Sequence, residues 1–201
     1  MCKNRFDIDG RFWPIAMADG LLSPINSVLG VAESIVFGCQ LRKSQLPEDP
    51  LFVLGHWRTG TTLLHELLAL DPAHSAPSAF EVFAPNHFLI TGKLFPMLFG
   101  WLLPQARPMD NMRQSTDSPQ EEDFALALLG ARTPYETLAF PRRGVMSPEM
   151  FDPEEFAAAD RLHWESTLRR FLTKVGLRHP GRRLVLKSPP HMCRLRTLNR
   201  L

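Results

Sequence analysis

Two short apolar runs, each followed at once by polar or turn residues, predict buried strands. Residues 51–54 read Leu-Phe-Val-Leu before a glycine loop, and residues 184–187 read Leu-Val-Leu-Lys before a Ser-Pro-Pro turn. Uninterrupted runs of this length are typical of strands covered on both faces of a parallel sheet. Because long stretches with helical spacing separate the runs, the pattern predicts an α/β class, rich in helix, with a parallel sheet flanked by helices.

Helical spacing is clear on both sides of the first run. Residues 23–41 have Ser23 as the predicted N-cap and Pro24 in the first turn. Their apolar residues lie on one stripe: Val28, Leu29, Ala32, Ile35, Val36 and Cys39. We expect this stripe to pack on the core; a helix lying on a membrane is the alternative, although no run of Lys or Arg marks its polar face. After the glycine loop, a helix with a leucine face is predicted from Leu63, Leu64, Leu67 and Leu68.

Three more helices are predicted further along the chain. Residues 118–130 begin with a Ser118-x-x-Glu121 capping-box pattern and end at Gly130. The acids Glu121, Glu122 and Asp123 are interpreted there as first-turn residues that favour the helix dipole. A second helix is predicted from the apolar face that runs from Trp164 to Val175. The last, a short helix, is predicted to begin at Ser188 and Pro189.

Composition narrows the class of protein. The chain has 201 residues, 44% of them hydrophobic, and a net charge of +2, which excludes a disordered chain and a broad nucleic-acid-binding surface. Three widely spaced cysteines favour a reducing, cytoplasmic setting over a disulfide or zinc framework. The longest apolar run considered, residues 94–103, is about half the length of a membrane span, so no transmembrane segment is predicted. We predict an N-terminal helical segment packed on the core over residues 1–50 and a single α/β domain over residues 51–201.

The loop after the first strand carries the strongest chemical signal. Gly55 and Gly60 are separated by four residues and followed by Thr61 and Thr62, with Arg58 between them. A strand, a glycine loop and a helix start direct several backbone N–H groups at one point, which suits an anion and makes the domain P-loop-like. Nucleoside triphosphatases need lysine at the position of Thr61 and an acid for magnesium. Since neither is found, we predict an anion site without a metal.

Together these residues resemble a known family. The segments Leu-Gly-His-Trp-Arg-Thr-Gly-Thr-Thr and Arg-Arg-Leu-Val-Leu-Lys-Ser-Pro-Pro are similar to the 5′-phosphosulfate loop and a second segment of sulfotransferases that use 3′-phosphoadenosine 5′-phosphosulfate. The resemblance, to the branch common in bacterial genomes, runs from about residue 51 to the C-terminus. It implies sulfuryl transfer to the hydroxyl or amine of a small-molecule, carbohydrate or lipid acceptor, without a metal or nucleic acid. Oligomer formation stays open.

The resemblance also implies residue roles. Its donor-binding set is Gly55, Trp57, Arg58, Thr59, Gly60, Thr61 and Thr62. Arg58 would contact the 5′-phosphate and sulfuryl oxygens, and Lys187 would stabilise the leaving oxygen. Glu81 would be the general base, with His56 and His87 as rivals.

One part of the family pattern is missing. No Arg-Asp-Pro-like motif for the 3′-phosphate occurs in the sequence, so the fold is predicted to be incomplete at its C-terminus, with the strand at 184–187 exposed as an edge. Little or no transfer activity is therefore expected from residues 1–201 alone. An inactive remnant that binds anions, or serves as an interaction module, is the first alternative, and a P-loop kinase is the second.

Overall fold

A three-stranded parallel sheet lies at the centre of the computed structural model, which describes residues 9–92, 115–139 and 147–200. Its strands are β1 (Leu51–Phe52), β2 (His74–Ser75) and β3 (Arg183–Leu186), in the order β1-β3-β2. Phe52 pairs with Leu186, and Ser75 pairs with Leu184. The α/β class is confirmed. The expected exposed edge at β3 is wrong, because β3 has a neighbour on each side and the side chains of residues 184–186 are fully buried.

Helices cover both sides of this small sheet. In chain order, the described helices are α1 (Trp13–Lys43), α2 (Thr61–Ala69), α3 (Ala79–Phe83), α4 (Phe88–Thr91), α5 (Glu122–Leu128), α6 (Tyr135–Ala139), α7 (Ala158–Arg178) and α8 (Leu195–Leu198). Single turns of 3₁₀ helix lie at Gly10–Phe12, Pro148–Met150, Pro153–Glu155 and Pro189–Cys193. The apolar run at residues 94–103 lies outside the described residues.

The core is built on α7. Its apolar face carries Trp164, Leu168, Phe171, Leu172 and Val175, all buried, as the helical spacing predicts. This face packs in one cluster with Val82, Phe88, Leu126 and Leu186 from the sheet and the shorter helices. The rigid core therefore holds the end of β3 in place, and the candidate chemistry follows β3 directly.

The first helix differs from its prediction in length and orientation. It begins ten residues before Ser23, so Pro24 lies inside α1 rather than in its first turn. A buried carboxylate attaches it to the body: Glu33 accepts a hydrogen bond from Leu89 N at 2.7 Å and forms an ion pair with Lys174. Burial lowers the pKa of Lys174 even beside this carboxylate. Of the predicted stripe, Leu29 and Ala32 are half-buried, while Val28, Ile35, Val36 and Cys39 are exposed. The prediction that the stripe packs on the core is therefore wrong for these four side chains.

One helix bears on the expectation of no transmembrane segment. The helical stretch from residue 10 to residue 43 is long and apolar enough to cross a membrane, judged by length and composition. Asp19, Ser23 and Asn26 interrupt the apolar residues of this stretch, so it contains no long uninterrupted apolar run. Its exposure shows that it is not a core helix of the described structure.

The helices α2 and α5 also differ in detail from the predicted ones. α2 forms where predicted, but it buries Thr61 and His65, while Leu63, Leu64 and Leu67 are exposed. α5 begins after Glu121, whose side chain makes no capping bond, so the predicted Ser118 cap is wrong. A complete capping box occurs instead at Ser78 and Glu81, at the start of α3.

Candidate functional site

The glycine loop connects β1 to α2 in a strained, tightly folded path. Arg58 has a left-handed backbone with φ of 65°, and Gly60 has φ of 83° directly before the helix. A side chain at Gly55 would meet Thr61 Cγ2 at 2.4 Å, so only glycine fits there. Within the loop, the Thr59 hydroxyl donates to the His56 carbonyl at 2.6 Å. A non-glycine residue held at positive φ costs free energy and is found most often at functional sites.

This geometry is suited to holding an oxyanion. The first N–H groups of α2 have no acceptor within their own helix, and the helix dipole places partial positive charge at the same end. Leu64 N makes the first bond, to the Gly60 carbonyl at 3.1 Å. Trp57 packs edge-on against Phe151, with ring centroids 5.9 Å apart, which fixes one side of the loop. The residues present therefore fit a sulfate or phosphate group.

Lys187 lies at the same edge of the sheet as the loop. It follows β3 immediately, and Val53 N, at the start of the loop, donates to the Leu186 carbonyl at 2.8 Å. Its side chain is buried, with Nζ 2.5 Å from Glu121 Oε1. The hydroxyl of Tyr135 donates to the other oxygen of Glu121, and burial, followed by the charge of Glu121, raises the pKa of Tyr135. The structure therefore brings Lys187 and the loop together at the carboxyl edge of β1 and β3.

Three consecutive acids at the start of α5 pair with three basic residues after β3. Glu121 pairs with Lys187, Glu122 Oε1 lies 2.5 Å from His191 Nε2, and Asp123 accepts from Arg194. Glu122 and Asp123 lie in the first turn of α5, as predicted, and Glu121 is its N-cap residue. All three are buried, so ion pairing is a further role that was not predicted. A sequence signal for this pairing was available: positions 187, 191 and 194 repeat with one-face helical spacing opposite three adjacent acids.

Glu122, Asp123 and His191 also have the composition of a metal site. Their ligand atoms lie within 4.8 Å of one another, and they form the one such group found among residues 9–92, 115–139 and 147–200. Arg194 Nη1 binds both Asp123 oxygens, at 2.8 and 2.9 Å. Burial acts to raise the pKa of Glu122, but the charge and hydrogen bond of His191 outweigh it and lower this pKa to about 2. Arg194 already binds the Asp123 carboxylate, so a metal ion would have to displace Arg194 from it.

Glu81 has other partners. Its carboxylate is fully buried and accepts from Ser78 N at 2.7 Å, while His179 Nε2 and Arg178 Nε lie 3.0 and 3.2 Å from Oε1. Arg178 and His179 lead into β3 at its amino end, whereas Lys187 follows its carboxyl end. Glu81 and Lys187 therefore contact different partners, at opposite ends of β3.

The two rival bases lie in different settings. His56 is exposed within the loop, where Nδ1 is 3.2 Å from the Trp57 carbonyl. His87 is buried, and its Nδ1 is 2.7 Å from the Thr91 hydroxyl. Burial lowers the pKa of His87 despite the nearby Glu33 carboxylate. The hydrogen bond with Thr91 gives His87 a structural partner at the start of α4.

His65 ties α2 to the sheet, and this contact predicts a pH dependence. Its Nε2–H donates to the Val185 carbonyl at 3.0 Å. Burial lowers the pKa of His65, and the Val185 bond and Glu122 oppose this only in part. Below about pH 6.5 the unfolded chain takes up a proton at His65 that the folded chain does not, so stability should decrease as the pH falls.

We expect the free energy of unfolding to decline between pH 7.5 and pH 5.5, with His65 contributing at most about 1.4 kcal/mol per pH unit. The variant His65→Gln keeps an N–H donor for Val185 without a titratable ring. Its unfolding free energy, measured by urea titration at both pH values, should fall less steeply than that of the wild type. Equal slopes for the two proteins would exclude His65 as a contributor.

The sequence is similar to a known family of enzymes and to two of its curated members. The model of the Sulfotransferase family matches residues 50–201. Two curated relatives, the omega-hydroxy-beta-dihydromenaquinone-9 sulfotransferases Stf3 of Mycobacterium bovis (strain ATCC BAA-935 / AF2122/97) and Mycobacterium tuberculosis (strain CDC 1551 / Oshkosh), are each 39% identical over 198 residues. That alignment covers 98% of this chain and 50% of each relative, so the chain spans about half their length.

A solved structure supports the fold. The crystal structure of sulfotransferase STF1 from Mycobacterium tuberculosis H37Rv matches with a TM-score of 0.55 and 22% identity. The match covers 85% of this chain and 46% of the solved one. At this identity it shows the fold, while the family match and the 39% identical relatives carry the assignment. The chain belongs to the sulfotransferase family.

Proposed function

We propose that the chain transfers a sulfuryl group from 3′-phosphoadenosine 5′-phosphosulfate to the hydroxyl of a lipid-like acceptor. The observation that carries this proposal is the position of Lys187 beside a glycine loop that suits an oxyanion. The acceptor class is drawn from the relatives, which are named for a menaquinone derivative. The exposed, unpaired thiols of Cys39 and Cys193 support a reducing, cytoplasmic location.

The donor would bind through the loop. The backbone of Trp57 to Thr62 and the Arg58 side chain would hold the 5′-phosphate and sulfuryl oxygens, with the Thr61 and Thr62 hydroxyls as further donors. Gly55 is needed because a side chain there would push Thr61 out of position. Charge-assisted hydrogen bonds of this kind are short and strong, which fixes the sulfur for attack from the opposite side.

In the transfer step, the acceptor oxygen forms a bond to sulfur while the bond from sulfur to the 5′-phosphate oxygen breaks. The Lys187 ammonium would donate a hydrogen bond to that leaving oxygen and stabilise its negative charge as it develops. No metal is required in this scheme. Glu121 holds the Lys187 ammonium in place until the donor phosphate is bound.

The acceptor proton needs a base. Glu81 is the candidate that family resemblance provides, and in this role its carboxylate would have to exchange its bonds to Arg178 and His179 for the acceptor. Glu121 is a second candidate, because its carboxylate already lies beside Lys187. A Glu81→Gln variant that transfers the sulfuryl group at the wild-type rate would remove Glu81 from this role.

Donor binding tests the proposed site without requiring turnover. We expect the variant Arg58→Ala to weaken the affinity for adenosine 3′,5′-bisphosphate about 10- to 100-fold, because one charge-assisted contact contributes about 1.5 to 3 kcal/mol. Isothermal titration calorimetry in EDTA measures this, since the site needs no magnesium. Arg196→Ala, which removes an exposed arginine from α8, is the matched control and should bind like the wild type. Unchanged affinity in Arg58→Ala would place the donor elsewhere.

A further inference from the structure

The helix α1 is oriented with its apolar side away from the protein. Five residues on one side of it, Met17, Leu21, Ile25, Val28 and Ile35, are 56 to 77% exposed and are called here the outward stripe. Their spacing of three, four or seven residues places them on one helical face. Met17 and Ile35 are 18 residue steps apart, so at 1.5 Å rise per residue this face is about 27 Å long.

The opposite side of α1 is the one that contacts the body. It carries Asp19, Ser23, Asn26, Gly30 and Glu33 at the same helical spacing. A side chain at Gly30 would lie 3.3 Å from Asn86 Cβ, and Glu33 is buried against Leu89 and Lys174. A helix of a water-soluble domain normally shows the reverse arrangement, with its apolar stripe toward the core. The outward stripe therefore needs a partner of its own.

The polar side chains of α1 are compatible with an apolar partner on the outward stripe. The Ser27 hydroxyl donates to the Ser23 carbonyl at 3.0 Å, and the Ser34 hydroxyl donates to the Gly30 carbonyl at 2.9 Å. Hydroxyls bonded to their own helix in this way need no water. Of the described acidic side chains of α1, Asp19 and Glu33 lie on the side of the body contact, so the outward stripe carries no charge.

Charges and aromatic rings at the two ends of α1 indicate which partner covers the stripe. Exposed Arg42 and Lys43 end the helix, whereas exposed Arg11, which precedes it, is paired with Asp9 at 3.0 Å. Phe12 and Trp13 are exposed at the N-terminal end of α1. Basic groups at one end of an apolar stretch and aromatic rings at the other match the headgroups and the interface of an anionic bilayer.

We propose that the outward stripe of α1 seats the protein on the surface of a lipid bilayer that contains anionic lipid. The stripe enters the acyl region, Arg42 and Lys43 contact the headgroups, and the rest of the chain stays in the aqueous phase. This goes beyond the proposed reaction and does not depend on it. It would place a domain that modifies a lipid-like acceptor at the surface where such acceptors are dissolved.

Flotation of the full chain with vesicles of phosphatidylcholine and phosphatidylglycerol tests the proposal without donor or acceptor. The wild type should float with these vesicles, and Leu21→Glu should lower the bound fraction at least tenfold, because a charge replaces a side chain that the bilayer buries. Leu162→Glu is the matched control: Leu162 is equally exposed, at 63% against 72% for Leu21, but lies on α7, and this variant should bind like the wild type.

Two further measurements keep the result specific. Thermal unfolding by circular dichroism should give Leu21→Glu and the wild type the same Tm, since Leu21 is exposed in the folded chain. Brominated lipids should quench wild-type fluorescence more than that of Trp13→Phe, because Trp13 lies at the interface. A wild type that stays out of the lipid fraction would overturn the proposal. So would sedimentation showing a lipid-free dimer that Leu21→Glu dissociates, since a second copy would then cover the stripe.

Discussion

Replacing Asp123 by alanine is expected to lower the free energy of unfolding by about 3 to 5 kcal/mol, the range measured when one partner of a buried ion pair is removed. Asp123 and Arg194 are both fully buried, and Nη1 of Arg194 bonds both carboxylate oxygens. Arg194 also donates from Nε to the Phe151 carbonyl at 2.8 Å and lies 5.0 Å from the Trp164 ring. Without Asp123, its charge would remain in the core with no countercharge in this pair.

Denaturant unfolding measures this effect, and two variants act as controls. Asp160→Ala removes an ion pair with Arg132 in which both side chains are 46% exposed, and its cost should stay below about 1 kcal/mol. The double variant Asp123→Ala with Arg194→Met removes both charges and should recover part of the lost stability. A loss of less than about 1 kcal/mol for Asp123→Ala alone would contradict the buried pairing.

Lys187→Met is expected to lower the rate of sulfuryl transfer about 10²- to 10³-fold, the usual effect of removing one group that stabilises developing negative charge. Donor affinity should change much less, because the charge on the leaving oxygen develops only in the transition state. Single-turnover rates at saturating donor separate the two quantities.

Lys187 also neutralises Glu121, so its replacement leaves a buried carboxylate without its cation. The double variant Lys187→Met with Glu121→Gln removes both charges and controls for this. It should remain inactive while recovering stability. If it recovered transfer as well, the role of Lys187 would be structural and the proposed stabilisation of the leaving group would be wrong.

The elements best predicted from the sequence are those whose residues pack on all sides. The apolar runs give β1 and β3 within two residues, and the spacing from Trp164 to Val175 gives the buried face of α7. Local rules decide the strands, since an uninterrupted apolar run of this length is stable where both of its faces are covered. The strand order, with β3 in the centre, depends on contacts between distant segments and was not predicted.

The apolar patterns located the helices better than they indicated which face of each helix is buried. The stripe of Val28, Ile35 and Val36 is regular, yet it lies on the exposed side of α1 because Glu33 and Gly30 hold the other side to the body. Periodicity alone cannot tell which surface a stripe meets. In α2, likewise, the predicted leucine face is largely exposed, while Thr61 and His65 are the buried residues.

The candidate site shows the same division between local and distant information. The Gly55 to Thr62 loop is a local pattern, and its left-handed turns follow from it. Ser78-x-x-Glu81 and Ser118-x-x-Glu121 both satisfy the capping-box pattern, and the structure selects the first. The pairing of Glu121, Glu122 and Asp123 with residues more than 60 positions later required the folded chain. Residue roles in catalysis remain predictions.

Transfer of sulfur-35 from labelled 3′-phosphoadenosine 5′-phosphosulfate tests the central proposal, that Lys187 and the glycine loop form a sulfuryl-transfer site, most directly. The assay uses the chain in large excess over donor, so that even the little transfer expected of residues 1–201 alone gives a measurable product. A polyprenyl alcohol is the acceptor, and EDTA is present throughout. The account predicts a labelled sulfate ester with the wild type and at least a hundredfold less with Lys187→Met. A labelled product that requires magnesium, or one formed equally well by Lys187→Met, would contradict it.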